Sequence, residues 1–372
     1  MKKNDLPTPT ILVDQNILNH NIQKYQTICN NNNKQLWPMI KTHKSTVIAK
    51  MQLQAGATGF LCGTLDECEI LVNAGITNIM YAYPVATQTS IDRIIELRKK
   101  SHIILRIDGL EAAKLLNDVA KIAEVLIDYT IIINSGLNRL GINPTQAAQF
   151  ASAMASYENL TFKGISTHPG HVYAATENSD VLKCAMQEVE ALQIASDLLR
   201  ADNFEIEIIT SGSTPTFTNA VTDHNIDIFH PGNYVFHDCV QIALGVATQR
   251  ECALTILASV ISNPEPGIFI IDAGSKTLGL DKGAHGNTSI NGYGIIKQHP
   301  EAEIISLSEE VGKISVSTSS ELKVGDKIEI IPNHACVPTN LTSRLITCQA
   351  EVVTGEIEID MRGNSQYYPI DI

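Results

Sequence analysis

The sequence predicts a (β/α)8 TIM-like barrel with a second, antiparallel β domain, and three observations predict it. From residue 36 to about 230, short apolar segments ending in polar or glycine residues alternate with longer amphipathic ones, the pattern of repeated β-α units on a parallel sheet. Eight such strands can be counted, the number that closes a barrel of this kind. After residue 244 the texture changes to β-branched strands separated by turn residues, which reads as a separate antiparallel unit.

In chain order, a first strand at 10–13 precedes the barrel. The barrel strands lie near 37–40, 59–62, 78–81, 103–107, 129–133, 162–166, 205–210 and 227–229, with helical stretches such as 90–100, 146–156 and 181–200 between them. The later strands lie near 254–261, 268–272, 303–307, 327–331, 343–347 and 357–359. The expected units are a barrel over 22–243 and a β domain from 1–21 and 244–372, discontinuous because the strand at 10–13 joins the later strands. An open doubly wound sheet is the rival, but no Gly-x-Gly-x-x-Gly turn follows the first barrel strand, where a dinucleotide-binding sheet carries it.

With 372 residues, 44% of them hydrophobic, the chain has ample material for two cores. Its formal charge of −13 repels phosphate backbones, and no basic patch is visible, so nucleic acid is not an expected partner. The N-terminus has no apolar stretch of signal-peptide length, and no run approaches the roughly 18 apolar residues of a membrane span. The eight cysteines are scattered without Cys-x-x-Cys pairs. Free thiols in a cytoplasmic protein are the expectation.

Barrel active sites sit where the strands end. The first barrel strand runs out in Trp37-Pro38-Met39-Ile40-Lys41-Thr42-His43-Lys44, which puts Lys41 at that face. A lysine held at a partly desolvated mouth is more easily deprotonated, and a neutral amine can attack an aldehyde. Two glycine-containing turns follow strands seven and eight: Thr210-Ser211-Gly212-Ser213-Thr214-Pro215-Thr216 and His230-Pro231-Gly232-Asn233-Tyr234. Phosphate sites recur at these two positions in this barrel class. After strand five comes Asn134-Ser135-Gly136-Leu137-Asn138-Arg139, whose Arg139 offers a fixed cation for a carboxylate or phenolate. Strand six ends at His168, able to lie flat against a cofactor ring. In the β domain His334-Ala335-Cys336 follows a strand; on an extended segment the two side chains point the same way and can share an ion such as Zn²⁺.

Taken together the segments resemble the D-serine dehydratase/D-threonine aldolase family, pyridoxal-phosphate enzymes of fold type III related to alanine racemase. The resemblance runs through nearly the whole chain, in shared order: Leu6-Pro7-Thr8-Pro9, Pro38-x-x-Lys41-Thr42-His43-Lys44, Ala82-Tyr83-Pro84-Val85, Gly136-x-x-Arg139, Ser211-Gly212-Ser213-Thr214-Pro215, His230-Pro231-Gly232-Asn233-Tyr234 and His334-Ala335-Cys336. It implies Lys41 as the catalytic lysine that carries pyridoxal 5′-phosphate. It implies Ser211, Gly212, Ser213, Gly232 and Asn233 as phosphate contacts. His168 is then placed near the ring, Arg139 near the phenolic oxygen or substrate carboxylate, and Tyr173 and His230 among the cofactor contacts. His334 and Cys336 become ligands of a divalent metal, Zn or Mn. It also implies a homodimer whose β domain covers the partner's barrel mouth, so that Lys41 and the metal loop of one site would come from different subunits.

The chain departs from the family pattern in places. Trp37-Pro38-Met39-Ile40-Lys41 stands where Arg-Pro-His-x-Lys is frequent, Asn134 where an acidic residue is common, and Val311 where a histidine often lies near the metal. His230 stands where alanine racemase sets an arginine against the pyridine nitrogen, and a neutral partner there leaves the ring a weaker electron sink. The implied activity is a lyase on small D-3-hydroxy amino acids. It either dehydrates D-serine to pyruvate and ammonia or splits a D-threonine-type substrate into glycine and an aldehyde, and the His-x-Cys pair leans to dehydration. The alternatives are a pyridoxal-phosphate amino-acid racemase, which needs no metal, and a cofactor-binding homeostasis protein, which normally lacks a β domain.

Overall fold

The computed structural model of the protein describes residues 1–282, 289–316 and 320–362. Residues 363–372, assigned from sequence to the β domain, lie outside the described residues. The strands are β1 (Thr10–Asp14), β2 (Gln35–Leu36), β3 (Phe60–Cys62), β4 (Asn78–Tyr81), β5 (His102–Ile107), β6 (Ile127–Ile132), β7 (Leu160–Ser166), β8 (Ile208–Ser211) and β9 (Ile228–Phe229). These are followed by β10 (Leu254–Glu265), β11 (Ile268–Ile271), β12 (Ile295–Ile296), β13 (Glu303–Leu307), β14 (Gly312–Ser315), β15 (Lys327–Ile331), β16 (Arg344–Gln349) and β17 (Val352–Glu358).

Strands β2 to β9 form one parallel sheet in the order β2-β9-β8-β7-β6-β5-β4-β3. A parallel bridge between Met39 and Leu61, with Leu61 N–H donating to the Pro38 carbonyl at 3.0 Å, brings its two edges together into a barrel. The expected first strand at 37–40 is displaced. The ladder strand is Gln35–Leu36, and residues Ile40–Thr42 already turn as a 3-10 helix. Pro38 has no N–H to give, so the ladder passes through its neighbours: Trp37 N–H bonds Phe229 and Met39 N–H bonds Pro231.

Period-two alternation divides each strand between two cores. Trp37, Met39, Leu61, Met80, Ala82, Ile104 and Ile228 fill the barrel interior, while residues such as Ile79, Ile103, Leu105 and Ile131 pack in the shell against the helices. Among these helices Asn178–Ala201 is long enough to bury a carboxylate, Glu188, behind the barrel wall.

The other nine strands form the second sheet, order β11-β14-β13-β12-β15-β10-β1-β16-β17. β1 pairs antiparallel with β10 but parallel with β16, so the sheet is antiparallel except at that one pair. The early strand thus joins the late ones, as its sequence suggested. Two strands the sequence reading passed over, β12 and β14, are only two and four residues long. Among the described residues no helix is long and apolar enough to cross a membrane.

Candidate active site

The strand ends of the barrel open into a cavity of about 100 Å³ whose wall includes Lys41, Arg139, His168, Tyr173, Gly212, Ser213, His230, Gly232, Asn233, His334 and Cys336. Residues predicted from six separate stretches of sequence therefore face one space. Lys41 sits in the 3-10 turn after β2, and among the described residues it has no hydrogen-bond or ion-pair partner. The turn is fixed from behind. Lys44 Nζ lies 2.7 Å from Glu67 Oε1, both buried, and Glu67 closes a capping box with Thr64 on the helix Leu65–Asn73.

The two glycine turns meet at the cavity wall. Gly212 has φ +143°, and a Cβ there would lie 2.7 Å from the His230 backbone nitrogen, so only glycine lets the β8 turn approach the β9 turn this closely. The Thr214 hydroxyl accepts from Tyr234 N–H at 3.1 Å and ties the turns together. Asn233 Nδ2 donates to Asp238 Oδ2 at 2.5 Å, while its Oδ1 is buried without a partner among the described residues.

Ser211 is a correction. It does not line the cavity: alternation along β8 turns its hydroxyl outward, where it donates to Glu188 Oε1. The neighbouring Thr210 points inward, towards the sulfur of Met80. Ser211 thus supports the turn from outside, and its hydroxyl is unavailable to a phosphate in the cavity.

Two imidazoles face the space in fixed neutral form. Burial, then the nearby charge of Lys41, pushes His168 down to about 3, and its Nδ1–H donates to the Gly212 carbonyl at 3.1 Å. Burial likewise pushes His230 down to about 3, its Nδ1–H donating to the Trp37 carbonyl at 2.8 Å. The opposite nitrogen of His230, Nε2, is a buried acceptor with no partner among the described residues. Tyr173 lies on the 3-10 helix Gly170–Ala174, and burial raises its phenol well above the ordinary value. Arg139 is exposed, with its guanidinium 5.8 Å from the centre of the Tyr83 ring.

His334 and Cys336 converge, though not on an extended segment. Ala335 is in the right-handed helical region and Cys336 begins the helix Cys336–Leu341. The helix tolerates Pro338 because its first-turn N–H groups need no intrahelical partner. Buried Asp238 accepts from Ala335 N–H at 2.9 Å and lies 3.3 Å from His334 Nδ1, which leaves Nε2 to face the cavity. Burial alone would push the Cys336 thiol up, but His334, then Thr42 and Lys41, hold it below the ordinary thiol value. Its Sγ donates to Thr42 Oγ1 at 3.3 Å. This contact corrects the expectation that lysine and metal loop of one site come from different subunits: both belong to the same chain here. Among the described residues no group of three or more His, Cys, Asp and Glu side chains gathers as a metal site.

One cavity residue the sequence reading missed is Arg106, buried on β5. Its signal was present, since His102-Ile103-Ile104-Leu105-Arg106-Ile107 sets one arginine in an apolar run.

Comparison with known proteins places the chain among relatives that share both of its units. The family described as "Alanine racemase, N-terminal domain" matches residues 13–239, and "Putative serine dehydratase domain" matches residues 253–348. D-serine dehydratase of Dictyostelium discoideum is 27% identical, over 91% of this chain and 93% of that protein. D-threonine aldolase of an Arthrobacter species is 23% identical, over 96% and 93%. The solved structure of D-threo-3-hydroxyaspartate dehydratase from Delftia sp. HT23 superposes with a TM-score of 0.90 at 25% identity, covering 98% of this chain and all of that one. The chain therefore belongs to the D-serine dehydratase/D-threonine aldolase family, pyridoxal 5′-phosphate-dependent lyases built on the alanine racemase barrel.

Proposed function

We propose that this chain is a pyridoxal-phosphate and divalent-metal lyase that dehydrates a small D-3-hydroxy amino acid of the D-serine type, working as a cytoplasmic homodimer. The observation that carries it is the partnerless Lys41 in one cavity with His334 and Cys336. The cavity suits a flat anionic cofactor. A glycine cradle at Gly212, the orphaned acceptor His230 Nε2, which can take a ring N–H, and the neutral ring of His168 are the groups such a molecule would meet. The metal donors suit zinc or manganese with open positions, an imidazole oriented by Asp238 beside a thiol held low.

When bound, pyridoxal phosphate supplies an electron sink for bonds at Cα, and a divalent ion supplies a Lewis acid for an oxygen. The chain's own groups do the rest. Lys41 Nζ holds the cofactor and is then free to take the Cα proton of the substrate. The backbone of Gly212, Ser213, Gly232 and Asn233 receives the phosphate, and Arg139 fixes the phenolic oxygen or the substrate carboxylate. His168 would meet the ring with its neutral imidazole. His230, committed through Nδ1–H to Trp37, can only accept at the ring, never donate. His334 and Cys336 would hold the ion, which would there supply the Lewis acid for a 3-hydroxyl. The barrel unit proposed for this work is 22–243, and the metal loop belongs to the unit of 1–21 and 244–372. Eight free cysteines, seven of them buried, support a reducing compartment.

The test incubates purified protein, supplied with pyridoxal phosphate and Zn²⁺ or Mn²⁺, with D-serine or D-threonine and measures pyruvate against glycine. Pyruvate is expected from D-serine, lost on chelation and in Cys336→Ala. In Lys41→Ala, borohydride treatment should leave no cofactor mass on the peptide that carries residue 41 in the native protein. Glycine from D-threonine without pyruvate would move the reading to retro-aldol cleavage, and neither product with either metal would sink it.

A further inference from the structure

The strand β5 carries one charged side chain into the barrel interior. Ile103, Leu105 and Ile107 face the helices, while Ile104 and Arg106 face inward, and Arg106 is only 3% exposed. Burying a guanidinium without a counter-charge is expensive, so such a group is normally paired. Arg106 is not. Its Nε donates to Ser166 Oγ at 2.8 Å, and Ser166 in turn accepts from Thr130. Its Nη2 is buried and has no acceptor among the described residues.

The ionisable groups around it are Tyr83, Asp108, Arg139, His168 and His230. None forms an ion pair with it, and Asp108 is the one carboxylate whose negative charge reaches it. Both histidines are neutral, with their single N–H groups committed to the Gly212 and Trp37 carbonyls. Asp108 Oδ2 accepts from Gly141 N–H at 2.8 Å. Arg139 is a second cation, and a small recess of about 30 Å³ lies between the two arginines and His168. In the circle of eight strands β5 stands diametrically opposite β9, so this double positive charge faces the glycine turns from across the cavity.

We propose that Arg106 is a second cofactor-binding cation, which together with Arg139 seats the anionic phenolic oxygen of pyridoxal phosphate while the β8 and β9 turns hold the phosphate arm. The inference rests on the reading of the cavity as the cofactor site. Its chemistry is simple. Two guanidiniums at that oxygen keep it ionised and disfavour any further positive charge on the bound cofactor, so removing one makes the cofactor easier to protonate.

The experiment follows the visible absorption of the cofactor-loaded protein against pH, and the dissociation constant of pyridoxal phosphate, in wild type, Arg106→Met and Arg106→Lys. In Arg106→Met the midpoint of the absorption change should rise by about one pH unit and the cofactor should bind about tenfold more weakly. Arg106→Lys keeps the charge and should return the midpoint to the wild-type value, which a purely structural role for the side chain would not produce. If Arg106→Met does not fold, Arg106→Gln, neutral but polar, carries the same expected rise. An unchanged midpoint and affinity in a folded neutral variant overturns the role of Arg106 alone. A wild-type protein that takes up no cofactor overturns the reading of the cavity instead.

Discussion

Glu188 shows how a single residue can make the fold depend on pH. Its carboxyl is fully buried behind the β8 turn, bonded by the Ser211 hydroxyl, with Oε2 lacking a partner among the described residues. Burial pushes it up from 4.5 to about 7, against the hydrogen bonds from Ser211 and Thr216. Because the folded value exceeds the unfolded one, the folded state retains the proton longer. Stability is therefore full below about pH 4.5 and falls as pH rises through about 7. At about 1.4 kcal/mol per unit the loss reaches about 3 kcal/mol at most. Denaturant unfolding of the cofactor-free protein across pH 5 to 8, a range set by that shift, should show this fall in wild type and a flatter profile in Glu188→Gln. Parallel profiles for the two proteins would refute the assignment. Glu188 carries no signal in the sequence, since a glutamate in a long amphipathic helix reads as solvated until the opposing face is known.

At the scale of elements, β7 and β8 pair through Gly164. Its φ is +147°, and a Cβ added there would lie 1.8 Å from the Ile208 carbonyl oxygen, far inside van der Waals contact. Gly164→Ala must push the two strands apart, and since β7 leads to His168 and β8 to Gly212, both walls of the cavity would shift. A loss of more than about 3 kcal/mol is expected, seen as a lower urea midpoint or as insoluble protein. An unchanged midpoint would show that the strands can part at little cost. Most barrel elements were legible because alternation and helical periodicity are local. The helices expected at 90–100 and 181–200 are observed at Gln88–Lys100 and Asn178–Ala201. What misled was short or interrupted: β2, broken by Pro38, and the His-x-Cys loop, read as extended although Ala335 and Cys336 already turn into a helix.

Over the whole molecule, the chain's beginning is a load on its end. β1 lies between β10 and β16, bonded to both, so the second sheet cannot close over its core without residues 10–14. A chain starting at Gln15 exposes two unpaired edges, and edges of that kind recruit other chains. Such a truncation should elute as aggregate on gel filtration and lose the cooperative unfolding of the native protein. A truncated chain that elutes and unfolds like the native one would disprove the structural role of β1. The same sheet delivers the His334–Cys336 loop, docked by Cys336 Sγ on Thr42 and by Thr339 Oγ1 donating to the Thr42 carbonyl at 2.9 Å.

By itself the sequence determined the barrel, the lysine at the end of its first strand, the two glycine turns and the His-x-Cys loop, because each is a short pattern whose physics is local. Only the tertiary structure decided that Thr42 and Cys336, 294 residues apart, touch within one chain. The direction of two side chains was also left to it: Ser211 faces Glu188 outside the barrel, and Arg106 faces the cavity. Spacing along a strand fixes which residues share a face. Which face becomes the interior, and what stands opposite it, depends on how the sheet closes and how the second domain docks.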